Sequence, residues 1–212
     1  YARAFDVSET LNYLEKLDAA AGFGAGVVDT QHTLLLGHSF GAHNCWSAAG
    51  ATFDAATILA DCAEEGGTIV KDDCSDVAMA VFAKGLAEPR VVAAAPLAGT
   101  MHRGLNGPLG HEGAKIPVLS MSGTKDLIGA DKQFDECIGC DLTWVELKDG
   151  THQSFALSCN APGKNEKTCS TTMAWTLAFG RRHVLGDAGV VDMLEGVKPH
   201  GDVVVTYKRR KP

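Results

Sequence analysis

Short, unbroken apolar runs alternate with longer amphipathic stretches along this chain. Apolar runs cover residues 33–36, 90–96, 116–121, 142–147 and 203–207, and each is short enough to be a strand buried on both faces. Between them, residues 6–19 carry Val7, Leu11, Leu14 and Leu17 at helical spacing, with Asp6 or Ser8 placed to cap the start. Residues 42–49 and 170–183 read as apolar helices, and residues 52–88 as helix broken by a loop. A glycine-rich bend follows the first helix at residues 22–26, and an irregular glycine-rich loop spans residues 97–113. Strands alternating with helices predict a mostly parallel sheet with helices on both faces. The run at 203–207, flanked by Lys208, Arg209, Arg210 and Lys211, suits a sheet edge. No linker or internal repeat interrupts the pattern, so residues 1–212 are expected to form a single domain.

Composition narrows the classes of function. The chain has 212 residues, 45% hydrophobic and 21% charged, as a globular domain with a sizeable core requires. Its net charge of -7 and pI near 5.6 argue against nucleic acid or an anionic membrane as a partner. The basic C-terminal cluster reads as a solvated tail. No apolar run reaches the roughly 18–20 residues that span a bilayer. The chain starts at Tyr1 rather than Met, which implies upstream residues that were removed or not captured.

Seven cysteines are many for a cytosolic enzyme of this size. Cys62 and Cys74 bracket one loop, Cys159 and Cys169 another, and Cys137 and Cys140 form a C-x-x-C. Three local disulfides, with Cys45 left as a buried thiol, suit a secreted or periplasmic protein. A redox or zinc role is the rival for Cys137 and Cys140. No second C-x-x-C and no thioredoxin-like pattern accompanies them, and no metal is expected.

The chemistry concentrates at Gly37-His38-Ser39-Phe40-Gly41, a G-x-S-x-G pentapeptide between a strand-like run and a helix-like one. That context makes a nucleophile elbow, in which flanking glycines give a strained serine room against its neighbours. The amide of Phe40, at the start of the helix, is then aimed at developing negative charge as one oxyanion donor. A serine needs a base, and the base needs an orienting carboxylate. Asp126 follows the run at 116–121 by a few residues, and His152 follows the run at 142–147 through a glycine-containing turn. The order Ser, Asp, His with each member past a strand predicts a triad of Ser39, Asp126 and His152. Asp131 and Asp149 are rivals for the carboxylate. His38 reads as structural or pocket-lining rather than as a second base, and His43 as structural. Thr100, Met101, His102 and His111 lie in the loop after the second strand, where Thr100, Met101 and His102, together with His38, are candidates for the substrate pocket.

These residues carry a family resemblance. Residues 3–7, the elbow, residues 89–96, residues 117–126, residues 150–155 and residues 178–187 resemble bacterial α/β-hydrolases related to dienelactone hydrolase, platelet-activating-factor acetylhydrolase and the secreted polyesterases. The resemblance runs over nearly the whole chain and implies the α/β-hydrolase fold. It also implies cleavage of small-molecule or polymeric carboxyl esters through an acyl-enzyme, without a cofactor. A lipase, serine peptidase or acyltransferase of the same fold is the alternative, and a catalytically silent fragment or binding module that keeps the elbow is another. The chain departs from the family in lacking the early strands that precede the elbow. They normally supply half the sheet and the second oxyanion donor. The chain is therefore expected to be the C-terminal part of the fold, with an N-terminal segment of the same protein as a partner that completes the sheet. Ala42-His43 also replaces the second small glycine often found after the elbow.

Overall fold

The computed structural model describes residues 2–19, 25–67, 69, 71–101, 103–156, 166–197 and 202–212. His102 and Cys159 lie outside the described residues. Five strands form one sheet in sequential order: β1 (Thr33–His38), β2 (Val91–Leu97), β3 (Val118–Gly123), β4 (Leu142–Leu147) and β5 (Val204–Arg210). The first four pair in parallel and β5 pairs antiparallel to β4, so the sheet is α/β and mostly parallel. Eight helices accompany them among the described residues: α1 (Ala2–Ala19), α2 (Phe40–Ala48), α3 (Ala55–Ala63), α4 (Asp76–Lys84), α5 (Arg103–Asn106), α6 (Ala130–Glu136), α7 (Glu166–His183) and α8 (Val191–Leu194).

Alternation along the strands builds two cores. Ala93, Ala95, Leu97, Leu119, Met121, Val145 and Leu147 face Trp175, Ala178 and Phe179 of α7 and Leu194 of α8. Their neighbours Ala94, Val118, Leu142 and Trp144 face Cys45 and Trp46 of α2, Ala49 just after it, and Phe134 of α6. Strands buried on both faces lose the polar alternation of a solvated sheet, which is why they read as unbroken apolar runs. A satellite core of Ile58, Ala78, Phe82 and Leu105 joins α3, α4 and α5. Here the broken helical region resolves into two capped helices. Asp54 accepts a hydrogen bond from the Thr57 amide at 3.1 Å, and Ser75 one from the Ala78 amide at 3.2 Å. The Cys62–Cys74 disulfide spans the break between them.

A polar node ties helix α1 to the turn before β2. Arg90, at the turn into β2, forks onto both oxygens of Glu88 at 2.8 Å. The same guanidinium reaches Asn12 at 2.9 Å, Glu15 at 3.2 Å and the Ser8 carbonyl at 3.2 Å. Of the apolar face expected on α1, Leu11 is fully buried and Leu17 is exposed.

Strand β1 lies at one edge of the described sheet and β5 at the other, as its basic flank suggested. Beside β1, Leu34 and Leu36 with Met173, Leu177 and Leu185 border an open apolar groove of about 600 Å³.

The cysteines correct one expectation. Cys169 is disulfide-bonded, but Cys137 and Cys140 are free thiols. Both are buried in the turn between α6 and β4, where the Cys140 thiol donates to the Cys137 carbonyl at 3.7 Å. The pair fills space in the apolar core instead of stapling a solvated loop. The hydrogen bond between the two thiols raises the Cys137 titration and lowers that of Cys140. The described residues hold no cluster of His, Cys, Asp and Glu able to bind a metal. Cys45 is free and buried as expected, and burial pushes its thiol up to about 12.

Candidate functional site

Ser39 sits between β1 and α2 with φ 59° and ψ -120°, a backbone conformation that a serine adopts only under strain. Packing explains why the chain accepts it. A Cβ at Gly37 would overlap the Gly41 carbonyl and lie 2.8 Å from the Cys45 sulfur, so β1 and α2 meet closely only because that position is glycine. The other flanking glycine behaves differently. A Cβ at Gly41 would enter open space, which corrects the expectation that both glycines are needed for clearance. The second tight approach comes from Gly99, after β2. A Cβ there would lie 2.5 Å from the Ser39 carbonyl oxygen and 2.6 Å from the Ala42 side chain. The elbow also hangs from β2 by the Ser39 amide, which donates to the Leu97 carbonyl at 2.9 Å.

Two loops bring the partners in. Gly123 and Gly150 pack backbone to backbone at the ends of β3 and β4, where a Cβ on Gly123 would overlap the Gly150 carbonyl. The Lys125 amide donates to that carbonyl at 2.9 Å, the Thr124 amide to Leu147 at 3.1 Å, and the Asp149 amide to the Thr124 hydroxyl at 2.9 Å. Asp126 and His152 are therefore carried on two loops zipped together. His152 opens a short 3-10 turn (His152–Phe155) with a capping box, in which the Thr151 amide donates to the Ser154 hydroxyl at 3.0 Å.

The three predicted side chains meet in a line. Ser39 Oγ lies 2.8 Å from His152 Nε2, and His152 Nδ1 lies 3.1 Å from Asp126 Oδ2 and 3.2 Å from Oδ1. With Nδ1–H donating to the carboxylate, Nε2 carries the lone pair that accepts the serine proton. The Asp126 side chain is 6% exposed and that of His152 is 38% exposed, so the carboxylate is shielded while the imidazole faces the site. Asp149, the rival carboxylate, instead pairs with Lys125 at 2.9 Å on the outer side of the loop. That ammonium lowers the Asp149 titration through its hydrogen bond and charge. Asp131 lies in the first turn of α6.

The residue the sequence placed only loosely is His38. Its Nε2–H donates to the His152 carbonyl at 2.8 Å, and the two rings lie 4.8 Å apart. It ties the elbow to the loop that carries the base. Phe40 begins α2, so its amide belongs to the helix's first turn, and its ring is exposed beside the serine. His43 packs against Phe53 with ring centres 6.3 Å apart. Thr100 and Met101 are half-buried just past Gly99, and His111 is almost wholly buried.

Gly99 and Gly123 carry no sequence signature, because a glycine two residues past a strand, or at its last position, has none until its neighbour is known. No family model and no curated protein matches this chain.

Proposed function

We propose that the chain is a serine hydrolase of the α/β-hydrolase fold that cleaves carboxyl esters through an acyl-enzyme. The observation that carries this reading is the continuous Ser39, His152, Asp126 hydrogen-bonded line ending on a serine in a strained turn. The parallel sheet supports it, since all three residues lie past the carboxyl ends of β1, β3 and β4 in the order that fold uses.

In this mechanism Ser39 Oγ attacks the ester carbonyl carbon as its proton passes to His152 Nε2. The Phe40 amide donates to the oxyanion that forms. The tetrahedral intermediate collapses, the C–O bond breaks, and His152 protonates the departing alcohol. His152 then deprotonates a water that attacks the acyl carbonyl, and collapse of the second intermediate releases the acid and restores the Ser39 hydroxyl. Asp126 holds the imidazole tautomer and stabilises the imidazolium. The Cys62–Cys74 disulfide and the disulfide-bonded Cys169 support an oxidising compartment, secreted or periplasmic. Among the described residues, no helix is long and apolar enough to cross a membrane.

Treatment with a fluorophosphonate followed by peptide mass spectrometry should give one adduct, on Ser39, and Ser39→Ala should abolish hydrolysis of p-nitrophenyl acetate. Folded protein that neither labels nor turns over this ester would refute the reading.

A further inference from the structure

A second cavity lies between the loop after β2 and helix α6, with a volume of about 310 Å³, the lower end of the range for ligand clefts. One wall starts at Thr100, the residue after the Gly99 that packs on the Ser39 carbonyl. The opposite wall starts at Ile128, whose amide donates to the Asp126 carbonyl at 2.9 Å. The cavity is therefore walled by the loops that follow β2 and β3, each of which also touches the elbow or carries Asp126.

Its lining contains an anomaly. Gln133 of α6 is 8% exposed, and neither its carboxamide oxygen nor its nitrogen has a hydrogen-bond partner. A buried amide with both atoms unsatisfied is rare, and it is stabilised when a ligand or water supplies the missing bonds. His111, 3% exposed, lines the same cavity. Charge is balanced there. Lys132 and Glu136 lie four apart on α6 and both line the cavity, so the pair favours neither sign of ligand charge. Burial lowers the His111 titration, which favours the neutral ring. Met101 and Ile128 supply apolar walls.

We propose that this cavity is a substrate subsite for an uncharged amide group, paired by its own C=O and N–H with the Gln133 carboxamide and flanked by His111. An amide is the ligand that returns one donor and one acceptor to a glutamine side chain together. The inference rests on the esterase reading and makes its substrates esters that carry an amide on one arm.

Two measurements separate the inference from that reading. The first does not need turnover. N-butylacetamide titrated into ¹⁵N-labelled protein should shift the Gln133 side-chain NH₂ resonance, assigned by triple-resonance spectra and by its absence in Gln133→Met, and heptane should not. The second is kinetic. The p-nitrophenyl ester of 5-acetamidopentanoic acid should exceed that of octanoic acid in kcat/KM, and Gln133→Met should lower the former about tenfold and reverse the preference between the two. Gln133→Leu replaces the Met variant if that one misfolds. An unshifted NH₂ resonance overturns the amide site. A shifted resonance without an amide preference in kcat/KM overturns its role as a substrate subsite. If no ester is cleaved and Ser39 does not label, the esterase reading fails and the substrate role fails with it, while the resonance still decides whether the cavity binds an amide.

Discussion

Replacing Glu88 by Gln tests how α1 is anchored. The Glu88 side chain is 5% exposed and that of Arg90 is 13% exposed, and two bonds of 2.8 Å join them. The Arg90 guanidinium, helped by the Ser8 hydroxyl and the Arg90 amide, holds the Glu88 carboxyl down from 4.5 to about 2, against the opposing effect of burial. A depressed carboxylate stabilises the fold above its unfolded titration and loses that stabilisation as pH falls towards the folded one. Moving the titration from 4.5 to about 2 is worth about 3 kcal/mol at neutral pH. Glu88→Gln keeps the shape but not the charge, while Glu15, Asn12 and Ser8 still hold the guanidinium. Urea unfolding followed by tryptophan fluorescence should therefore show the variant about 3 kcal/mol less stable at pH 7. The gap should shrink to about half or less by pH 3, because the wild type loses most of the contribution there. Comparing the two proteins at each pH cancels the other carboxylates. A gap that stays constant from pH 7 to pH 3 would refute the reasoning, since it would come from shape and not from ionisation.

Two predictions concern the triad. Asp126→Asn should reduce kcat for p-nitrophenyl acetate by about 10³–10⁴-fold with an unchanged melting temperature, because the amide favours the wrong imidazole tautomer; Asp149→Asn should leave kcat within twofold, and the opposite ranking would reassign the carboxylate. His38→Phe keeps a ring against His152 but removes the donor to its carbonyl, so kcat should fall about five- to tenfold, the equivalent of about 1 kcal/mol, with the pH dependence of kcat unmoved; a displaced pH profile would make His38 a second base.

The cysteines show where local pattern and packing part. Cys62 and Cys74 flank a solvent-exposed break between two helices, and the staple suggested by their spacing is present. Cys137 and Cys140 have the tighter spacing, yet they lie in the core against Phe134 and Trp144 as thiols. Spacing says how near two sulfurs can come and nothing about which environment encloses them. The elbow glycines carry the same lesson. Gly37 is needed where β1 and α2 touch, Gly41 is not, and Gly99 does the work that the motif assigned to Gly41.

The sequence by itself determined the strand positions, the two-faced burial of the sheet and the short list of side chains just past the strand ends, Ser39, Asp126 or Asp149, and His152. Apolar runs and the residues just past them are local features, and burial on both faces leaves a local signature in each strand. Only the tertiary structure brought Asp126 rather than Asp149 to His152, made the His38 to His152 bond, and left Gln133 unpaired in the cavity of α6. The first two depend on which loops meet at the carboxyl ends of the sheet, 26 residues apart in sequence for Asp126 and His152 and 114 for His38 and His152. Such meetings are set by glycine-to-glycine contacts like that of Gly123 with Gly150, where the absence of a side chain leaves no pattern along the chain.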